Sequence, residues 1–176
     1  MLIVFAGPPC SGKSTLAAAL ARRLGIPHLS MDATRQRILP GAAHTRADRE
    51  VAYRAMHFAA ELLLAAGASA ILDAPYGHRE DREELARIGG GRLKRIECRV
   101  APETAVRRFR ERGRDAIRLD LTEELVAEMV REYVYIGDGL TLDTEVLSQE
   151  ECMEKLSAVS FQPSAKECLA RVERIL

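Results

Sequence analysis

Gly7-Pro8-Pro9-Cys10-Ser11-Gly12-Lys13-Ser14 fits the pattern G-x-x-x-x-G-K-[ST], and the residues on either side supply the context that the pattern requires. Before it, Leu2-Ile3-Val4-Phe5-Ala6 is a short apolar run of the kind that forms a buried strand. After it, Leu16, Leu20 and Leu24 recur at spacing four and predict a helix over 13–24, closed by Gly25 and Pro27. Strand, glycine-bounded loop and helix in register define a P-loop. Its glycines let successive backbone N–H groups point at phosphates, and the helix N-terminus adds partial positive charge. Lys13 is expected to reach the β- and γ-phosphates, Ser14 to bind Mg²⁺ through its hydroxyl, and Thr15 to meet the α-phosphate. A nucleoside triphosphate, ATP in the first place, and Mg²⁺ are therefore the expected ligands. Cys10 stands where many such loops carry glycine and reads as a small tolerated side chain.

Outward from the loop, short apolar runs alternate with longer segments of helical period, which predicts an α/β fold with a parallel sheet covered by helices on both faces. The run 28–30 is the second strand and 68–72 the third, ending at Asp73; 93–100 is the fourth and 140–142 the last. Helices are predicted over 33–39, 48–66, 79–88, 122–135, 149–159 and 164–175, with a further one opened by Pro102 and broken at Gly113. Gly89-Gly90-Gly91 reads as a flexible turn.

The 176 residues, 47% of them hydrophobic, suit one domain over 1–176 with a single well-buried core. Lys plus Arg and Asp plus Glu both number 26, so no global field draws in nucleic acid or an anionic membrane. Nucleic acid is not favoured as a partner. The four cysteines and four histidines show no metal-ligand spacing, and the thiols read as reduced and buried. No apolar run nears the roughly 20 residues that span a bilayer, and a cytoplasmic location is expected.

Phosphoryl transfer to a hydroxyl needs a carboxylate that takes the proton and aligns the acceptor. Asp32, just past the second strand, is the leading candidate, because strand carboxyl ends meet at one crevice in such sheets. Arg35, one helical turn on, can point at the same acceptor. Asp32 also suits an N-cap for the helix that follows, and the two roles can coexist. Asp73 ends an apolar strand in the manner of a Walker B carboxylate, serving Mg²⁺, the acceptor or only the strand end. Arg107, Arg108, Arg110 and Arg112, ahead of Gly113, form an arginine-rich lid or a solvated basic face. Arg112, beside the glycine, is the strongest of the four. Arg49, Tyr53 and Tyr76 are expected to line the acceptor pocket.

This order of features resembles the small P-loop kinases related to the 5′-kinase domain of polynucleotide kinase and to the zeta-toxin-like and chloramphenicol phosphotransferase-like families. The residues that carry the resemblance are Gly7 to Thr15, Met31-Asp32-Ala33-Thr34-Arg35, Ile71-Leu72-Asp73-Ala74 with Arg79 downstream, and Arg108-Phe109-Arg110-Glu111-Arg112-Gly113. The resemblance implies a P-loop NTPase sheet of five parallel strands in the order 2-3-1-4-5. It further implies that Asp32 is the general base, that Arg35 binds the acceptor, that Arg112 clamps the donor phosphates, and that residues near Leu142-Asp143-Thr144 lie beside the adenine. Arg108 joins the nucleotide-binding set, and Asp73 and Arg79 the acceptor set. Three functions stay open on the sequence: a kinase of small-molecule hydroxyls, a polynucleotide 5′-hydroxyl kinase, and an ATP-dependent switch with no acceptor.

Overall fold

The computed structural model describes residues 1–42, 45–112 and 120–159. Five strands, β1 (Leu2–Ala6), β2 (His28–Ser30), β3 (Ala70–Asp73), β4 (Leu93–Arg99) and β5 (Leu140–Asp143), form one sheet in the order β2-β3-β1-β4-β5. All four pairings are parallel. The order implied by the resemblance is the order observed. Parallel neighbours require crossovers, and among the described residues seven α-helices accompany the strands: α1 (Lys13–Leu24), α2 (Met31–Ile38), α3 (Arg46–Ala65), α4 (Arg79–Gly89), α5 (Pro102–Arg112), α6 (Glu123–Glu132) and α7 (Gln149–Ala158).

Alternation along the strands feeds two cores. Leu2, Val4, Ala70 and Leu72 face α3 and α4 with Met56, Ala60, Leu64 and Leu85. Ile3, Phe5, Ile71, Ile96, Cys98 and Leu142 face the other way, onto Leu16, Ala17 and Leu20 of α1 and Cys152 and Leu156 of α7. A third, smaller cluster joins α5 to α6 through Ala105, Val126 and Val130, with Val100 beneath and Cys10 of the loop at its edge.

Several local expectations are corrected. The N-cap of α2 is Ser30, so Asp32 lies inside the first turn, where it complements the helix dipole instead of capping. Helix α3 starts at Arg46 because Thr45 and Asp48 close a reciprocal capping box. Gly90–Arg92 is a short 3-10 turn, and Gly89 belongs to α4. A Cβ on Gly89 would stand 2.8 Å from that of Leu93, so its lack of a side chain is used in packing. Helix α6 ends at Glu132, and the chain then runs irregularly to β5. The helix expected over 164–175 and the breaking Gly113 lie outside the described residues.

Candidate active site

The P-loop leaves β1 at Gly7, whose φ of 149° is open to glycine and strained for other residues. A Cβ there would fall 2.6 Å from the Cys98 carbonyl oxygen and 2.8 Å from Ser11 Oγ. Gly7→Ala is therefore expected to lose roughly 2–5 kcal/mol from the combined clash and backbone strain. Thermal unfolding should show this as a midpoint lower by roughly 5–15 °C, and an unchanged midpoint would refute it. Cys10 has φ 59° and Gly12 φ 81°, both in the left-handed region. This is why the Cys10 position is one that favours glycine. Lys13 opens α1, and its Nζ folds back to 3.5 Å from the Pro8 carbonyl oxygen, over the concave side of the loop. Ser14 and Thr15 are exposed at the same helix start.

Beside the loop, Asp73 ends β3 opposite Phe5 of β1 and Ser30 of β2. It is 2% exposed, and neither carboxylate oxygen has a protein hydrogen bond at normal distance. His28 Nε2 stands 3.6 Å from Oδ2. Burial alone would raise its pKa, but His28, the Lys13 charge and the nearby Ser14 hydroxyl outweigh that and hold it below the ordinary value. A buried, ionised carboxylate without close donors, set beside a loop hydroxyl, is the hard-oxygen pair that could hold Mg²⁺ completed by waters and phosphate. Among the described residues, no group of three His, Cys, Asp or Glu side chains forms a closed metal cage.

Asp32, half-buried, and Arg35, 3% exposed, sit on α2 past the end of β2. They lie on the far side of β3 from the P-loop. Two strand spacings of about 4.8 Å put roughly 10 Å between the ends of β1 and β2.

On the opposite flank, a cavity of about 380 Å³ is bounded by Cys10, Gly12 and Thr15 of the loop, Arg108 and Arg112 of α5, and Thr144 and Gln149. Arg108 donates to the Cys10 carbonyl at 3.2 Å, to Thr144 Oγ1 at 2.9 Å and to the Thr144 carbonyl. The Thr144 hydroxyl lies 2.9 Å from the Ser11 carbonyl and 3.0 Å from that of Arg99. Thus Arg108 and Thr144 brace the outer wall of the loop. The role of Thr144 as a brace was not foreseen, although its place just past a strand end was the available signal.

Not every expected residue comes together. Arg79 lies on the solvent face of α4, bonded to Glu83 at 2.7 Å, one helical turn on. Arg82 turns inward in its place and donates to the Tyr76 and Gly77 carbonyls. Tyr76 is in the core rather than lining a pocket: its backbone N–H bonds the Tyr53 hydroxyl and its ring stacks on His57 at 6.0 Å. Burial lowers the His57 pKa, which favours the neutral ring. Tyr53 is likewise nearly buried. Tyr133, missed in the sequence, donates its hydroxyl to the Pro75 carbonyl, which also accepts the Gly7 N–H at 3.3 Å. Arg107 pairs with Glu111 at 3.9 Å and Arg110 with Glu123 at 2.6 Å, whereas Arg108 and Arg112 line the cavity.

Cys10 is the one thiol of the described residues that is partly exposed. Burial pushes the Cys98 pKa up to about 12 and raises that of Cys152, so both are poor nucleophiles. Alkylation of the native protein is expected to reach Cys10 before Cys98 and Cys152, and to slow several-fold under saturating nucleotide. Peptide mass spectrometry with and without nucleotide checks this. Equal rates would place the nucleotide elsewhere.

A five-stranded parallel sheet with a P-loop after its central strand defines a P-loop protein of the small-kinase architecture. Comparison with known proteins agrees: the chain belongs to the AAA domain family AAA_33, whose model matches residues 2–136. An adenylyl-sulfate kinase of Deinococcus deserti is 35% identical over 89 residues, which cover 48% of this chain and 49% of that protein. The chain therefore aligns with about half the length of this curated relative. Among solved structures, a gluconokinase from Sinorhizobium meliloti superposes with a TM-score of 0.67 at 20% identity, covering 88% of this chain and 89% of that one. The adenylyl-sulfate (APS) kinase of Mycobacterium tuberculosis in complex with AMPPNP and APS gives 0.68 at 20% identity, over 89% and 95% of the two chains. At such identities these structures share the fold, and the expected likeness to small P-loop kinases is borne out at that level. Among the described residues no helix is long and apolar enough to cross a membrane.

Proposed function

We propose that the protein is an ATP-dependent kinase that moves the γ-phosphoryl group of ATP to a hydroxyl on a small-molecule acceptor. The observation that carries this reading is the row of groups along one sheet edge: Lys13 and Ser14 beside β1, buried Asp73 ending β3, and Asp32 with Arg35 beyond β2. The ends of β1 and β2, about 10 Å apart by two strand spacings, leave room between them for a γ-phosphate and an acceptor hydroxyl in line. A nucleotide switch has no need of the second half of that row.

In this reading the acceptor oxygen attacks the γ-phosphorus, Asp32 takes the hydroxyl proton, and the bond to the β-phosphate oxygen breaks to release ADP. Arg35 holds the acceptor. Lys13 and the loop N–H groups hold the donor phosphates, while Arg112 reaches over them from the end of α5. Ser14 and Asp73 would hold Mg²⁺, which would supply charge neutralisation to the donor phosphates. The base and ribose occupy the 380 Å³ cavity beside Thr144. Gluconokinase and adenylyl-sulfate kinase take small acceptors by name, and the balanced charge of this chain points the same way.

The test is ADP release by the full chain over sugars, nucleosides, nucleotides, antibiotics and oligonucleotides with free 5′-hydroxyls. Turnover on a small molecule is expected. Labelling of oligonucleotides alone would overturn the acceptor class. No product anywhere, with a macromolecule bound only in the ATP form, would favour a switch.

A further inference from the structure

Three of the large apolar side chains exposed among the described residues lie on a single helix, α3: Val51 at 44%, Phe58 at 61% and Leu62 at 56% exposure. With Ala55 and Ala65 they recur at alternating spacings of four and three, the seam of a two-helix contact, extending about 21 Å along the helix axis. The fold does not need this stripe. The opposite face of α3, through Ala52, Tyr53, Met56, Ala60 and Leu64, already supplies the core. Nothing among the described residues covers the outer face, and apolar side chains grouped in this way mark a contact surface.

We propose that α3 forms a homodimer interface, in which two copies of the chain pack these helices antiparallel about a two-fold axis passing near Phe58. The sequence of the stripe is complementary to its own reversal. At about 1.5 Å rise per residue, Ala55 and Leu62 lie at nearly equal distances on either side of the axis, as do Val51 and Ala65. Each large side chain then meets a small one: Leu62 against the partner's Ala55, Val51 against the partner's Ala65, while the two Phe58 rings meet at the axis. Arg54 and Glu61 share one flank of the stripe, and a two-fold axis across the helices leaves each flank on its own side. Arg54 therefore faces the partner's Glu61, twice, once at each end. A parallel pairing, or one centred elsewhere, loses both the large-to-small match and the charge match. Glu61 already holds Arg87 of its own chain, so it is positioned before any partner arrives.

Light scattering on the full chain tests the proposal. The expected mass is twice that of the 19.5 kDa chain. Phe58→Asp is expected to halve it with the circular dichroism unchanged, since Phe58 is outside the core. Phe58→Cys should cross-link to itself under mild oxidation, giving a dimer band absent from the parent protein. Val51→Cys, about 10 Å from the axis, should not. A monomer at every concentration overturns the proposal, whether the face is then open or covered by residues 160–176 of the same chain. A dimer that survives Phe58→Asp, or Val51→Cys cross-linking as readily as Phe58→Cys, overturns it as well.

Discussion

Replacing Lys13 with alanine is expected to lower phosphoryl transfer by on the order of 10²–10³-fold, the usual effect of deleting a charge or donor aimed at the developing transition state. Lys13 is the first residue of α1 and is held over the loop by its approach to the Pro8 carbonyl, so the ammonium is directed by the loop's own backbone. Its removal leaves the αL residues Cys10 and Gly12 and the Gly7 turn in place. The fold should therefore persist, since alanine at a helix start is well tolerated. Weaker nucleotide binding should accompany the loss, because the same charge meets the phosphates in the ground state. Turnover, nucleotide titration and a thermal melt, measured together, separate these effects. Normal turnover in Lys13→Ala would remove the loop from the chemistry.

Asp32→Asn is expected to behave differently: transfer falls by about 10²–10⁴-fold while ATP affinity stays within about twofold. That fall corresponds to about 3–5 kcal/mol of barrier. The structural role of Asp32 is far smaller. A carboxylate in the first turn of α2 complements the helix dipole by about 0.3–1 kcal/mol, and Ser30, not Asp32, is the N-cap. The magnitudes thus decide between the readings. A loss of turnover much larger than the loss of stability assigns Asp32 to proton transfer, whereas equal losses assign it to the helix. Single-turnover assays with matched denaturation curves give both numbers.

The sheet was legible in the sequence where short apolar runs met glycine and proline stops. Residues 2–6, 13–24 and 28–30 are elements with the expected bounds, because Gly7, Gly12, Gly25 and Pro27 punctuate them. Boundaries failed where a side chain, rather than the backbone alphabet, set them. The Thr45 and Asp48 capping box sets the start of α3, whereas the cap of α2 falls at Ser30 through its extended backbone, with no capping bond from its side chain. On the donor side, the arginine-rich run ahead of Gly113 marks Arg108 and Arg112 in the sequence, and both line the cavity. The acceptor side was less legible. Tyr76, expected to line the pocket, and Arg79, placed in the acceptor set by the resemblance, lie elsewhere: the Tyr76 ring is in the core, its backbone at a positive φ of 51°, and helical phase turns Arg79 outward in favour of Arg82. The contact between His28 and Asp73 depends on strand pairing, which residue spacing does not show.

Because Arg108 and Thr144 fasten the outer carbonyls of the loop with bonds internal to the protein, its shape does not wait for nucleotide. On the proposed reading, an arriving triphosphate would meet a surface with little left to rearrange there, and discrimination among nucleotides would fall on how long each one stays.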